Sequence, residues 1–535
     1  MTMNHPISAR PRGAIPPSGA DLHRRDLFGL LGGAIASAVA TGSAAQAQGT
    51  PQATVQSLLG DGQRFDPANV VEAARAMAKR PFAASPNDLP EPFPGLTYDQ
   101  YVAIRSLPDT LVWGGEGRGF MIEPLHRGFV FTNPVALSVV EDGIIRKLAY
   151  DRARFDFGRL NVPVNIADIG FSGFRLYTPF GNGPPVEFAI AQGATFFRAL
   201  ARGQNLGIMA RALTLKPAET RGEEFPAFRG FWLERPSAGS NALVVHGLID
   251  SESAAGAVRL TFRPGDLTIV DVETTLFPRV TLDHIGLGGL TGTYLFGSND
   301  RRNVDDARPA VYECSGLHIL NGQGEWLWRP IQNPETLQIS AFLDRDPRGF
   351  GLMQRDRDYT SFQDDDQRWE LRPSVWIEPL GEWGPGAVQL IEIPSDSEVN
   401  DNILAYWRPR APVPQGSELA FSYRQFWCWS PPERPPLATV ASTRVGRGSV
   451  GRRRRFSVDF TGEALGAKPA PELRPALSTS PGSIQGMKTW SYPERKILRV
   501  AFELDPGNEN ACEMRLLLEA AGKPLSETWL YRWTP

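Results

Sequence analysis

The stretch "SEVNDNILAYWRPR", residues 397–410, sets one carboxylate, Asp401, between two amides, Asn400 and Asn402, ahead of an alternating run that reaches Tyr406 and Trp407. A carboxyl group placed this way can start a turn with the amides helping it. It can also deliver a proton to a substrate stacked on the neighbouring rings. Carboxylates, arginines and aromatics crowd together between residues 305 and 410. "GEWLWRP" puts Trp326 and Trp328 on the same strand face, with Glu325 and Arg329 beside them. "DPRGFGLMQRDRDYTSFQDDDQRWELRPSVWIEPLGEWGPG" adds Arg355, Asp356, Arg357, Asp358, Tyr359, Trp369, Arg372, Trp376 and Trp383. Flat rings offer apolar faces to sugars and charged side chains grip hydroxyls. Two suitably spaced acids can protonate a glycosidic oxygen and activate water. Each feature also has a structural reading: tryptophan as core, "RDRD" as a surface ion-pair ladder, "DDDQR" as a solvated loop. Gathered in one region of a chain that begins with an export signal, they favour a carbohydrate site.

Other chemistries lack their residues. There is no H-E-x-x-H, no C-x-x-C and only six histidines, which argues against a metal centre. No G-x-S-x-G elbow, P-loop or strand-following G-x-G-x-x-G occurs, so neither a serine hydrolase of that type nor a nucleotide cofactor is expected. No cofactor of any kind is called for. The net charge is −3, and the first 47 residues, with four arginines against two aspartates, make the remainder more acidic still. Such a body does not trap nucleic acid. The basic run "VGRGSVGRRRRF", residues 445–456, is expected to be a hairpin loop ahead of the strand "FSVDF".

The elements that must position these groups are mostly strands. The 535 residues suggest two or more domains, and 53 glycines with 46 prolines favour short strands joined by turns. "PANVVEAARAMAKRPF" is the clearest helix, opened by Pro67 and stopped by Pro81. From about residue 110 the apolar period becomes two, predicting a large antiparallel sandwich with a short helix near 188–201. The proline-rich 408–419 reads as a linker, dividing a body of residues 48–410 from a smaller sandwich of residues 411–535. Of the three cysteines, Cys428 and Cys512 both fall in the C-terminal part and could bridge, but three buried thiols is the favoured reading. Residues 1–47 read as a twin-arginine signal peptide: Arg24-Arg25, an apolar stretch from Leu27 to Val39, and a small-residue end at Ala45-Gln46-Ala47. Export by that route places the mature protein in the periplasm.

Several long strings carry a resemblance. "EEFPAFRGFWLERP", "GEWLWRP", "PRGFGLMQRDRDYTSFQD", "LRPSVWIEPLGEWGPGAVQLIEIP", "NDNILAYW" and "LSETWLYRW" resemble the periplasmic glucan biosynthesis proteins of the MdoG/OpgG and MdoD/OpgD family, and the leader looks most like the D-type branch. The resemblance implies a large N-terminal sandwich like galactose mutarotase and a C-terminal immunoglobulin-like sandwich. It implies action on β-1,2-glucan as an inverting endo-β-1,2-glucanase, with a transglycosylase or a non-catalytic glucan-binding scaffold as alternatives. It admits a membrane glucan synthase and a second copy of the chain as partners. The family's general acid is the Asp of its N-D-N motif, which falls on Asp401. Its proposed base is an Asp following His, where this chain has Glu313 following Tyr312 in "RPAVYEC". One added methylene moves that carboxylate by about 1 Å, enough to matter to a base. Arg355, Arg357, Asp358 and Tyr359 are expected to grip hydroxyls. Trp326, Trp328, Trp376, Trp383 and Tyr406 are expected to stack on sugar rings, with part of this set serving as core.

Overall fold

A computed structural model describes residues 55, 57–86, 88–164, 166–302, 304–466 and 472–535. The leader of residues 1–47 lies outside the described residues. The chain is mainly β, as its period-two runs predict.

Two large sheets face each other. A 10-stranded sheet has the strand order Met121–Leu125, Gly173–Pro179, Pro185–Gln192, Phe196–Ala199, Met209–Arg211, Ile285–Gly292, Ile403–Pro409, Pro385–Glu392 and Gln338–Arg345, with Thr214–Leu215 added beside Ile285–Gly292. A 15-stranded sheet runs past it and includes Ala254–Arg263, Thr268–Pro278, Leu419–Cys428, Ser374–Pro379, Gly349–Met353, Gly316–Leu320 and Trp326–Pro330. Alternate residues of both sheets fill one apolar core, with Leu290, Ala405 and Trp407 from one side and Val272, Leu352 and Trp427 from the other. The helix Pro67–Ala78 covers the back of the 15-stranded sheet. Asp66 caps it by accepting from Ala68 N, and Val70, Ala73, Ala74 and Met77 form its buried stripe.

The C-terminal unit is a second sandwich. Thr439–Arg447, Arg454–Thr461, Ile497–Asp505 and Ser483–Tyr492 make a four-stranded sheet. Facing it are Leu473–Ser480, Cys512–Ala520 and Thr528–Trp533. These three continue the 15-stranded sheet, because Thr528–Trp533 pairs in parallel with Trp326–Pro330. One sheet therefore serves both units.

Two expectations need correction. Residues 188–201 are not helical: Phe188 lies in the strand Pro185–Gln192, a turn follows, and Phe196–Ala199 is the next strand. The run is too short for its apolar residues to separate a buried strand from a helix, and Gly193 and Ala194, both at positive φ, break it. The boundary at 410 is also displaced. The strand Leu419–Cys428 is hydrogen-bonded between Thr268–Pro278 and Ser374–Pro379, deep in the large body. The proline-rich 410–418 joins two strands of that body, and the chain leaves it only after Cys428. Cys314, Cys428 and Cys512 are all buried free thiols.

Candidate active site

Asp401 lies near the end of the loop 393–402, separated by one residue from Ile403–Pro409, an interior strand of the 10-stranded sheet. Its two amide neighbours hold it. Asn402 is buried and behaves like an extra rung of the sheet. Its Oδ1 accepts from Tyr294 N at 2.9 Å, and its Nδ2 donates to the carbonyls of Tyr294 and Ile393, both at 3.0 Å. Asn400 donates through Nδ2 to Ser395 Oγ at 3.2 Å and accepts at its carbonyl from Thr293 Oγ1 at 3.0 Å. The Asp401 carboxylate itself is half-buried, with Thr293 Oγ1 lying 3.4 Å from its Oδ1.

Glu313 approaches the same threonine from the other side. It follows the short strand Val311–Tyr312, which pairs with Tyr294–Phe296, and its N–H donates to the Thr293 carbonyl at 2.9 Å. Its side chain is only 5% exposed and faces Arg372, whose Nη1 lies 3.4 Å from Oε1. Arg372 is in turn fixed by the Leu206 carbonyl, by Gln367 Oε1 at 2.8 Å and by the face of Trp369. Gly292 packs closely on this carboxylate: a Cβ there would stand 3.3 Å from Glu313 Oε2. Thr293 is thus the keystone: its carbonyl holds one acid's backbone and its hydroxyl reaches the other acid's loop. Burial pushes the nearby Cys314 thiol well up, and the negative charges of Glu313 and Asp401 add to the effect.

A third feature was missed at the level of sequence. Arg308 contacts Asp364 Oδ2 at 2.7 Å, Asp306 Oδ2 at 2.7 Å and Glu398 Oε2 at 2.8 Å. It ties together the loops 300–310, 356–371 and 393–402, which carry or adjoin both acids. Arg308 holds the Asp306 carboxyl down at about 2. Burial would raise Asp364, but Arg308, the Gln367 amide and Trp369 outweigh it and keep it below the usual carboxylate range. Asp364 and Gln367 are buried, so "DDDQR" is not simply a solvated loop. Nothing in its spacing reveals this, because the partner lies 56 residues away.

The predicted gripping and stacking residues divide sharply. Trp326, Trp328 and Trp376 are 5%, 3% and 0% exposed and form the floor on which the C-terminal sandwich packs, beside Phe456, Phe502 and Trp529. They are core. Arg355 is committed to that same junction: it chelates Glu527 at 2.6 and 3.0 Å, donates to Val440 O at 2.9 Å and stacks 3.5 Å above Trp328. Arg357 donates to the carbonyls of Glu370, Arg372 and Trp429, and burial lowers its guanidinium to about 10. Tyr406 is buried, with its hydroxyl on Gln389 Oε1 at 2.5 Å and His284 Nε2 at 2.8 Å. Trp383 is partly buried against Trp407 and Tyr423 at the opposite end of the sandwich from Asp401. A groove of about 950 Å³ opens there, lined by Trp383, Phe421 and Pro409 but by neither Asp401 nor Glu313. Of the remaining two, Asp358 is exposed and caps a short turn through Thr360 N at 2.9 Å. Tyr359 is 38% exposed and donates to Asp365 Oδ1 at 3.0 Å. These two stand on the loop that Arg308 anchors. Among the described residues, no group of three or more His, Cys, Asp or Glu side chains is arranged to hold a metal ion.

Comparison with known proteins agrees with the strings quoted from the sequence. The family model described as "Periplasmic glucan biosynthesis protein, MdoG" matches residues 65–533. A "Glucans biosynthesis protein G" of Vibrio cholerae is 44% identical over 478 residues, covering 88% of this chain and 87% of its own. Proteins of the same name from Rhodopseudomonas palustris and Shewanella are 43% and 44% identical, covering 93% and 87% of their own lengths. Among solved structures, a polysaccharide lyase aligns at TM-score 0.17 and 10% identity over 68% of this chain and 44% of its own, too weak a likeness to bear on fold or function. The expectation of a D-type member is overturned by these relatives, which carry the G name. With the match spanning nearly all of both sandwiches, the chain belongs to the MdoG family of periplasmic glucan biosynthesis proteins.

Proposed function

We propose that the protein acts in the periplasm on the β-1,2-linked backbone of a glucan, with Asp401 as general acid and Glu313 as its partner base. The observation that carries this reading is the convergence of the two acids on Thr293 from separate segments, 108 residues away in the case of Asp401. An inverting hydrolase needs one carboxyl that protonates the leaving oxygen and another that activates water on the opposite face. Asp401, half-buried beside the Thr293 hydroxyl, suits the first task. Asp358 and Tyr359 are the remaining candidates for direct contact with sugar hydroxyls.

Glu313 also supports a second reading. A carboxylate 5% exposed and facing a buried arginine is poorly placed to polarise free water. Transfer to a sugar hydroxyl, using the same acid, asks less of it.

Digestion of linear β-1,2-glucan with chromatography of the products tests both readings. Short reducing oligosaccharides support the hydrolase. Cyclic or lengthened products support the transglycosylase. Unchanged glucan that nevertheless binds would leave a scaffold and defeat both enzymatic readings.

A further inference from the structure

The hairpin made by Thr439–Arg447 and Arg454–Thr461 carries six arginines: Arg444, Arg447, Arg452, Arg453, Arg454 and Arg455. Four are engaged. Arg444 pairs with Asp459 at 2.9 Å, Arg453 with Asp505 at 2.9 Å and Arg455 with Glu503 at 2.7 Å. Arg452 donates to the carbonyls of Gly507 and Glu509 at 2.9 and 2.8 Å.

Arg447 and Arg454 differ. They stand directly opposite each other across the ladder. Both side chains therefore leave the sheet on one face, where facing like charges destabilise it. Among the described residues, neither guanidinium has a hydrogen-bond or ion-pair partner. Their face is also that of Val445 and Phe456, and the Phe456 ring on it packs on Trp529 and Tyr531. Val445 N donates to Ser298 O at 3.1 Å, and Ser298 Oγ donates to Thr443 O at 2.8 Å. A few residues past Ser298, Arg302 brings a third positive charge. Burial, followed by the charges of Arg302 and Arg447, pushes the Arg454 guanidinium down from its ordinary value. Asp300 offsets part of Arg302's charge, and Arg302 Nη1 also donates to Thr534 O at 3.4 Å. Asp300 lies 3.4 Å from Arg302 and also accepts from Asn333 N at 2.9 Å.

We propose that Arg302, Arg447 and Arg454 form a binding site for a phosphate-class oxyanion at the junction of the two sandwiches. Guanidinium forks match phosphate oxygens in geometry and charge. A bound dianion turns the repulsion between Arg447 and Arg454 into a shared attraction. The source is either inorganic phosphate or a phosphate ester borne by a saccharide, since the recognised group is the same. The site does not depend on the catalytic roles of Asp401 or Glu313.

Thermal unfolding and calorimetry of the full chain test this. At constant ionic strength, inorganic phosphate raises Tm by a few degrees where chloride does not. Each of Arg447→Gln and Arg454→Gln weakens phosphate binding roughly tenfold or more, and the double variant abolishes it. Arg452→Gln, a change at an engaged arginine, retains it. Without phosphate and at low salt, Arg447→Gln is at least as stable as wild type, because the facing repulsion is gone. Tighter binding of glucose 6-phosphate than of inorganic phosphate assigns the saccharide source, and equal binding assigns the free anion. A phosphate effect equalled by chloride overturns the proposal, as does one that persists in the double variant. A loss of anion-free stability in Arg447→Gln overturns it as well.

Discussion

Two regions of this molecule look alike as sequence and differ as structure. Around Trp326, Trp328, Trp376 and Arg355, aromatics and charge sit close together, and every one of these groups is consumed by the contact between the sandwiches. Around Thr293 there is less to notice. Yet two acids from distant segments arrive at one residue, and Arg308 laces three loops around them. The aromatic cluster does its work in cohesion. The threonine junction holds a half-buried carboxylate near a loop end. Density of interesting residue types identifies an interface, and it does not say whether the other side is solvent, sugar or protein.

The largest effect that sharpens this contrast is on rate. Asp401→Asn lowers turnover of linear β-1,2-glucan about 10²–10⁴-fold while circular dichroism and Tm stay near wild type. Trp376→Ala does the reverse. It removes a fully buried ring from the floor of the C-terminal sandwich and costs about 3–5 kcal/mol of stability, measured by denaturant unfolding.

Next comes the ion cluster beside that floor. Burial would raise the Glu527 carboxyl, but Arg355 and then His318 outweigh it and hold the group at about 2, against an ordinary 4.5. A carboxyl depressed on folding stabilises the protein above its unfolded pKa, and that stabilisation is lost as pH falls through the folded value. Wild type therefore loses on the order of 3 kcal/mol between pH about 4.5 and about 2. Burial also lowers His318, which begins a loss in the same direction at higher pH. Glu527→Gln is less stable at neutral pH, where it leaves the Arg355 charge uncompensated. It also flattens the acid limb of the profile, as urea titrations across that pH range would show.

The smallest effect belongs to the keystone. Thr293→Val deletes a hydroxyl that holds the Asn400 carbonyl and costs about 1 kcal/mol. Its turnover falls by more than that loss of stability explains, whereas Thr293→Ser recovers most of the activity.

Much of this was legible from the residues alone. Period-two runs predicted the sheets, and Pro67 with its apolar stripe predicted the helix that Asp66 caps. Alternation correctly put Trp326 and Trp328 on one face. It carried no information about what covers that face, because the covering strands lie more than a hundred residues later. The proline-rich 408–419 looked like a domain linker because prolines mark any surface crossing, including one between two sheets of the same body. The N-D-N string showed that Asp401 would be held. Only the fold reveals that Asn402 acts as a rung against Tyr294. Arg308 and Arg372 left no local signal, since their importance lies entirely in what three dimensions bring to them.

The most direct test compares initial rates of Asp401→Asn and Trp326→Phe on linear β-1,2-glucan, each normalised to its folded fraction. The present account predicts that Asp401→Asn is slower than wild type by at least about 10²-fold, with Trp326→Phe close to wild type. Wild-type activity in Asp401→Asn together with a collapse in Trp326→Phe would contradict it and return the site to the tryptophan cluster.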